Sequence, residues 1–295
     1  MSSKLVREKS MNVNLRPGKP EDAERCGVIC YEAFKTISES HNFPPDFPEP
    51  AIAIGLLSQL LSRKEVYSVV AEVDGHVAGS NFLWEHGAIA GIGPITVDPD
   101  VQNSTVGRQL MDAVLRYAAE RNFASVRLVQ AAYHSRSLSL YTKLGFDTRE
   151  PLSVINGPAL NVKIAGHVVR PATENDRDAC AGLCFRIHGH ERVQEFDDAV
   201  QQGTATVVEH DGRITGYATS VSFLGHAMGE SNDDLKALIA ATPEFFGAGF
   251  LLPTRNAELF RWCLNNGLRV VQPMTLMSKG LYNEPRGAFI PSVIY

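Results

Sequence analysis

A pattern of sixteen residues occurs twice in this chain and constrains the fold before any single element is assigned. RPGKPEDAERCGVICY begins at Arg16 and RPATENDRDACAGLCF at Arg170. Aligned without gaps, Arg16, Pro17, Asp22, Cys26 and Cys30 answer to Arg170, Pro171, Asp176, Cys180 and Cys184. The following segments agree as well. VVAEVDGHVAG (69–79) and VVEHDGRITG (207–216) each read as a strand, an Asp-Gly turn and a second strand closing on glycine. Self-similarity of this kind predicts two copies of one fold.

Each copy reads as strand, helix, antiparallel hairpin or meander, then a strand feeding a helix and a closing strand, an α+β layer arrangement. In the first copy the pattern predicts strands near 12–16, 66–74, 77–86, 89–97, 125–131 and 146–155. Helices fit 20–37, 50–64, 106–121 and 135–144. The stretch 157–166 carries two glycines and Pro158, which sets domains at 1–156 and 167–295 with a linker between them. The paired cysteines sit four apart on a helix face, without zinc-like His or Cys spacing nearby. They read as core residues rather than metal ligands.

Composition narrows the partners. The chain has 295 residues and a net charge of −5, with no window dense in Lys and Arg among aromatics, which argues against nucleic acid. Lys4, Arg7 and Lys9 precede no apolar core, and PAIAIGLLSQLL is too short to span a bilayer. The sequence therefore predicts a cytoplasmic protein without a membrane partner. No GxGxxG follows a strand and no GxxxxGK[ST] occurs, so the nucleotide-binding motifs are absent.

The most chemical segment is IGPITVDPDVQNSTVGRQLM, residues 92–111. It runs from an apolar strand through a polar loop into a helix marked by Val106, Leu110 and Val114. The amides of Asn103 to Gly107, the positive end of the helix dipole and Arg108 form a field suited to phosphate or pyrophosphate. A plain capped helix start is the alternative. Gly93 and Pro94 interrupt the preceding strand, which predicts a splay that frees the backbone of Ile95 and Val97.

VDPDVQNSTVGRQLM followed by LYTKLGF resembles the acetyl-coenzyme A site of the GNAT superfamily of N-acetyltransferases. Val97, Pro99, Gln102 and Gly107 stand at positions of its first motif, and Tyr141, Gly145 and Phe146 match its second. The likeness implies two GNAT-like domains, each a mixed, mostly antiparallel sheet flanked by helices. It also implies acetyl-CoA as donor, held by Ile95, Thr96, Val97, Gln102, Asn103, Ser104, Thr105, Val106, Gly107, Arg108, His134 and Ser137, with no metal. The sequence departs from the family where Asn103 and Thr105 replace loop glycines and His134 replaces an asparagine. Thr105 is the sharper departure, since a β-branched residue avoids left-handed backbone.

Acetyl transfer needs a free amine, a polarised carbonyl and a proton for the thiolate. The resemblance points to Tyr141 as the acid. The segment 89–97 offers no base, so the candidates are Glu85, its neighbour His86, and the carboxylate of Tyr295 if GAFIPSVIY folds back. The loop HNFPPDFPEP (41–50) is held out of helix by its prolines and suits acceptor recognition through Phe43, Asp46 and Phe47. A small-molecule primary amine is the expected partner, and the chain is a monomer with an internal pseudo-dimer or a homodimer. In the second copy Glu230, Asp233 and Asp234 crowd the equivalent helix start, capped by Ser231 or Asn232, which predicts lost cofactor binding. A non-catalytic acyl-CoA-binding protein is the rival reading.

Overall fold

The computed structural model describes residues 12–102 and 105–294. Asn103, Ser104, Tyr295 and the basic residues of the N-terminus lie outside the described residues. The first copy runs β1 (Val13–Pro17), α1 (Ala23–Ser40), α2 (Pro50–Ser62), β2 (Val66–Val73), β3 (His76–His86), β4 (Ile89–Ile92), β5 (Thr96–Val97), α3 (Val106–Glu120), β6 (Ser125–Ala131), α4 (Ser135–Lys143) and β7 (Asp147–Asn156). The second runs β8 (His167–Pro171), α5 (Arg177–His188), α6 (Val193–Gln201), β9 (Thr206–His210), β10 (Arg213–Ala218), β11 (Ala227–Gly229), α7 (Asn232–Ala241), β12 (Phe250–Pro253), α8 (Ala257–Asn265) and β13 (Arg269–Gly280). It is followed by β14 (Ala288–Ile290). The molecule is two α+β units, each a largely antiparallel sheet flanked by helices.

Alternation along β3 explains how the first sheet is covered. Phe82 and Trp84 pack with Cys26, Cys30, Ala53 and Leu57 beneath α1 and α2, whereas Leu83 joins Leu110, Met111 and Val114 of α3 on the other face. Cys26, Cys30, Cys180 and Cys184 are all fully buried in apolar clusters, so they act as small core side chains. Both hairpins turn on an Asp-Gly pair with positive φ at each residue, +50° and +83° at Asp74 and Gly75, +50° and +75° at Asp211 and Gly212. That is the turn whose twist suits adjoining strands.

The repeat extends to individual hydrogen bonds. Arg16 donates two bonds of 2.7 Å to Asp22 and a third to Glu72, while Arg170 donates two of 2.8 Å to Asp176 and a third to Glu209. Each carboxylate also accepts a backbone N–H at 2.8 Å, from Lys19 or Thr173. This clamp ties the first strand of each copy to its first helix and to the hairpin.

The copies are not side by side. They exchange strands. The larger sheet runs β1-β2-β3-β4-β6-β13-β7-β12, so β13 of the second copy lies between β6 and β7 of the first. Reciprocally, β7 pairs with β12 of the second copy. The second sheet, β14-β11-β10-β9-β8, completes the other half. Residues 157–166 therefore connect two halves whose closing strands share one hydrogen-bonded ladder.

Arg170 holds the Asp176 carboxyl down to about 2 in the folded chain, against about 4 unfolded. The stabilisation is therefore complete at neutral pH and fades as pH falls from about 4 to about 2. Asp176→Asn is expected to cost about 1–3 kcal/mol at pH 7, read by urea unfolding, with the gap from the parent closing at acid pH.

Candidate active site

A wedge in the first sheet organises the candidate site. β4 pairs in parallel with β6 only through Ile89–Gly91 against Ser125–Arg127. Past Gly93 the chain turns aside, and β5 pairs with β3 alone, Gly79 opposite Val97 and Ser80 opposite Thr96. β6 meanwhile continues along β13 to Ala131. The edges of residues 95–97 and 128–131 are left without a strand between them, the splay expected from Gly93 and Pro94. Thr96 is buried with its hydroxyl unpartnered, and Ile95 and Val97 are half-buried against the α3 face.

α3 begins beside this wedge. Thr105 adopts right-handed backbone (φ −81°), so the β-branched residue meets no left-handed requirement there. Its hydroxyl accepts from Gln109 at 2.8 Å and makes no capping bond to the helix. Val106 is fully buried in the core. Gly107 has room: a Cβ there meets only Val97, at 3.6 Å. Arg108 is half-exposed, with only a distant contact to Asp112 at 3.7 Å.

Gln102 braces the loop, donating to the Val97 carbonyl at 3.1 Å and accepting from Arg136 at 2.6 Å. Arg136 was not singled out from the sequence. Its position near the start of α4 gives no signal until its bond to Gln102 brings a guanidinium to the loop. From the same helix, Ser137 lies 2.8 Å from His134 Nδ1. His134 Nε2 is buried and unpartnered. Burial, then Arg136 and His41, depress His134 to about 4, so the ring is neutral at physiological pH. Burial pushes Tyr141 up to about 12, which keeps it a proton donor.

Glu85 is not brought here. Its carboxylate accepts from Tyr117 at 2.7 Å and Arg121 at 2.9 Å, both from the last turns of α3. α3 is fifteen residues long, so the Glu85 end lies roughly 20 Å from its first turn. The expectation of a base at Glu85 is corrected accordingly. Its position on β3 gives it the α3 face, where the helix C-terminus already supplies its partners.

The proline-rich loop does close on this region. Tyr133, directly before His134, stacks on Phe43 with ring centroids 4.4 Å apart, and Phe47 packs edge-on against Phe34 at 5.9 Å. Asp46 accepts from Gln272 at 3.0 Å and from Ser38 at 3.4 Å. The C-terminal tail also folds back, with Ile294 against the cluster of Phe47 and Trp84.

The second copy differs at every corresponding point. Its wedge between β11 and β12 is filled by β14, which pairs with β11. Asp234 caps α7 from within, its carboxylate accepting the Ser231 N–H and hydroxyl at 2.8 Å each. At the end of α8, Cys263 stands where α4 has Tyr141, four residues before a glycine with φ +89° in both helices.

Residues 31–146 match a family described as Acetyltransferase (GNAT) family. A Pyrococcus horikoshii protein assigned as an acetyltransferase is similar over 94% of this chain and 94% of its own, with TM-score 0.71 and 15% identity. A GCN5-related N-acetyltransferase from Sphaerobacter thermophilus is similar over 92% and 96%, with TM-score 0.59 and 14% identity. At such identities the likeness speaks for the fold, here the whole two-copy architecture. A search of curated proteins found no match. Among the described residues no helix is long and apolar enough to cross a membrane.

Glu85→Gln tests its assignment to the helix end. It is expected to lower stability by about 1 kcal/mol in denaturant unfolding while leaving any coenzyme A-induced rise in melting temperature unchanged.

Proposed function

We propose that the protein is an N-acetyltransferase that moves the acetyl group of acetyl-CoA to the primary amine of a small molecule. The observation that carries this reading is the open wedge between β5 and β6 at the start of α3, in a GNAT domain whose partner copy has the corresponding place taken by β14. Acetyl-CoA supplies an activated thioester. In this reading the amides at the start of α3, with Arg108 and Arg136, hold its diphosphate, and the free edge of residues 95–97 pairs with the pantetheine arm. The unpartnered His134 Nε2 and the space over Gly107 suit such an occupant.

Tyr141 serves as the acid for the departing thiolate. Its phenol is buried and un-ionised at working pH. Phe43 and Phe47 form the apolar wall for the acceptor, with Asp46 supplying negative charge for a cationic amine. Free, buried cysteines favour a reducing, cytoplasmic setting.

Thermal-shift titration with acetyl-CoA and coenzyme A tests the reading. Ligand at a hundred times Kd is expected to add about 2.7 kcal/mol of stability. No shift with either ligand at ~1 mM would overturn it. Arg108→Glu should fold normally and lose the shift, because it sets a carboxylate where this reading places the diphosphate. Tyr141→Phe should keep the shift and slow thiol release by roughly 100-fold. Unchanged release would remove Tyr141 from the chemistry.

A further inference from the structure

Among the described residues the inward-facing carboxylates Asp22, Asp176, Glu150 and Glu195 each pair with an arginine, Arg16, Arg170, Arg255 and Arg192, and Asp234 has the His167 imidazole at 3.5 Å. Asp46, part-buried, meets no cation among the described residues. Its backbone rides on the exposed proline-rich loop, but the carboxyl turns inward to Ser38 and Gln272, which are 0% and 2% exposed. The groups around it are neutral: Ser38 and the Cys30 thiol from α1, Tyr133 from the β6–α4 loop, and Gln272 from β13. His41, in ring contact with Tyr133 at 5.2 Å, stands one ring away. A carboxylate enclosed without a counter-charge is costly unless something supplies one.

The network is closed around that oxygen pair. Tyr133 donates to Gln272 Oε1 at 2.9 Å and lies 3.2 Å from Ser38 Oγ, while Gln272 Nε2 donates to Asp46. Gln272 precedes Pro273, whose carbonyl takes the Ala132 N–H at the end of β6. The carboxyl thus borders the wedge from the α1 side, opposite the face covered by α3 and α4.

We propose that the Asp46 carboxylate is the counter-ion and proton acceptor for the acceptor amine, and that Gln272, delivered by the second copy, positions it. The proposal rests on the acetyltransferase reading above. The ammonium gives one proton to Asp46, which passes it to solvent. The freed amine attacks the thioester carbonyl, a C–N bond forms and the C–S bond breaks. The second nitrogen proton passes to solvent as the amide forms, and the thiolate takes the Tyr141 proton, which the phenol regains from solvent. Burial raises the Asp46 carboxyl above the ordinary carboxylate range, and the bonds from Gln272 and Ser38 oppose that rise.

The experiment uses the full chain, with thiol release measured on benzylamine, tyramine, putrescine and spermidine, the best of them carried forward. Asp46→Asn is expected to lower kcat/KM by at least ~100-fold and to abolish the acidic limb of its pH profile, with the coenzyme A shift intact. Gln272→Met should move that limb to higher pH, which a purely structural residue would not do. Stability gives an independent readout. A carboxyl with a raised folded pKa favours folding below its unfolded pKa, and this contribution is lost as pH rises through the folded value. Asp46→Asn should therefore melt no lower than the parent at pH 8. Wild-type turnover in Asp46→Asn, or a melting temperature that falls in step with activity, overturns the proposal. So does the lack of turnover with every amine while coenzyme A still shifts the melting temperature. Loss of that shift in the unmodified protein strikes the cofactor reading first.

Discussion

The exchange of β7 and β13 is the interaction on which the rest of this structure depends. Two duplicated units could each have closed their own sheet. Instead β13 runs from Arg269 to Gly280 between β6 and β7, paired on both edges, and β7 is held in turn by β12. Few isolated side-chain contacts could match such a ladder, because every slipped residue would leave buried amides and carbonyls unpaired. The second copy thereby becomes part of the first copy's floor. That is how Gln272, more than 200 residues downstream, reaches Asp46.

Duplication followed by divergence accounts for the rest. Both copies keep the arginine clamp, the Asp-Gly turn and the glycine-ended last helix, which are requirements of folding. They differ where a ligand would sit. One leaves the wedge open, and the other fills it with its own tail strand. The Thr105 hydroxyl makes no capping bond to α3, whereas α7 begins with a capping box in which Ser231 Oγ accepts the Asp234 N–H and the Asp234 carboxylate accepts the Ser231 N–H. The phenol of Tyr141 becomes the buried thiol of Cys263. Asn256 caps α8 at the position that His134 holds before α4, so each copy keeps a polar group at that turn.

Much of this was legible in the sequence because it is local or periodic. The repeat, the paired cysteines, the amphipathic α3 and the splay at Gly93 and Pro94 follow from side-chain spacing and backbone chemistry over a few residues. The strand exchange was not legible. β13 carries the same alternation whichever edge it joins, and nothing within 269–280 names its neighbour. Glu85 was misread for a related reason: alternation along β3 gives its face, but the distance to the α3 start depends on how the helix lies across the sheet. Arg136 and Gln272 were silent because each matters only through a partner remote in sequence.

The contrast between Asp46 and Glu195 carries the argument about the site furthest. Glu195 is likewise part-buried, and the second copy compensates it from within by Arg192, with His226 Nδ1 3.2 Å away. The folded chain completes that charge set unaided. At Asp46 the same fold supplies hydrogen-bond donors without a cation, which orients a carboxylate but leaves its charge uncompensated. Such an arrangement lowers stability in the empty protein and repays it only when a positive group enters. Its place beside the open wedge, in the copy that kept its phenol, ties that cost to the acceptor rather than to the fold.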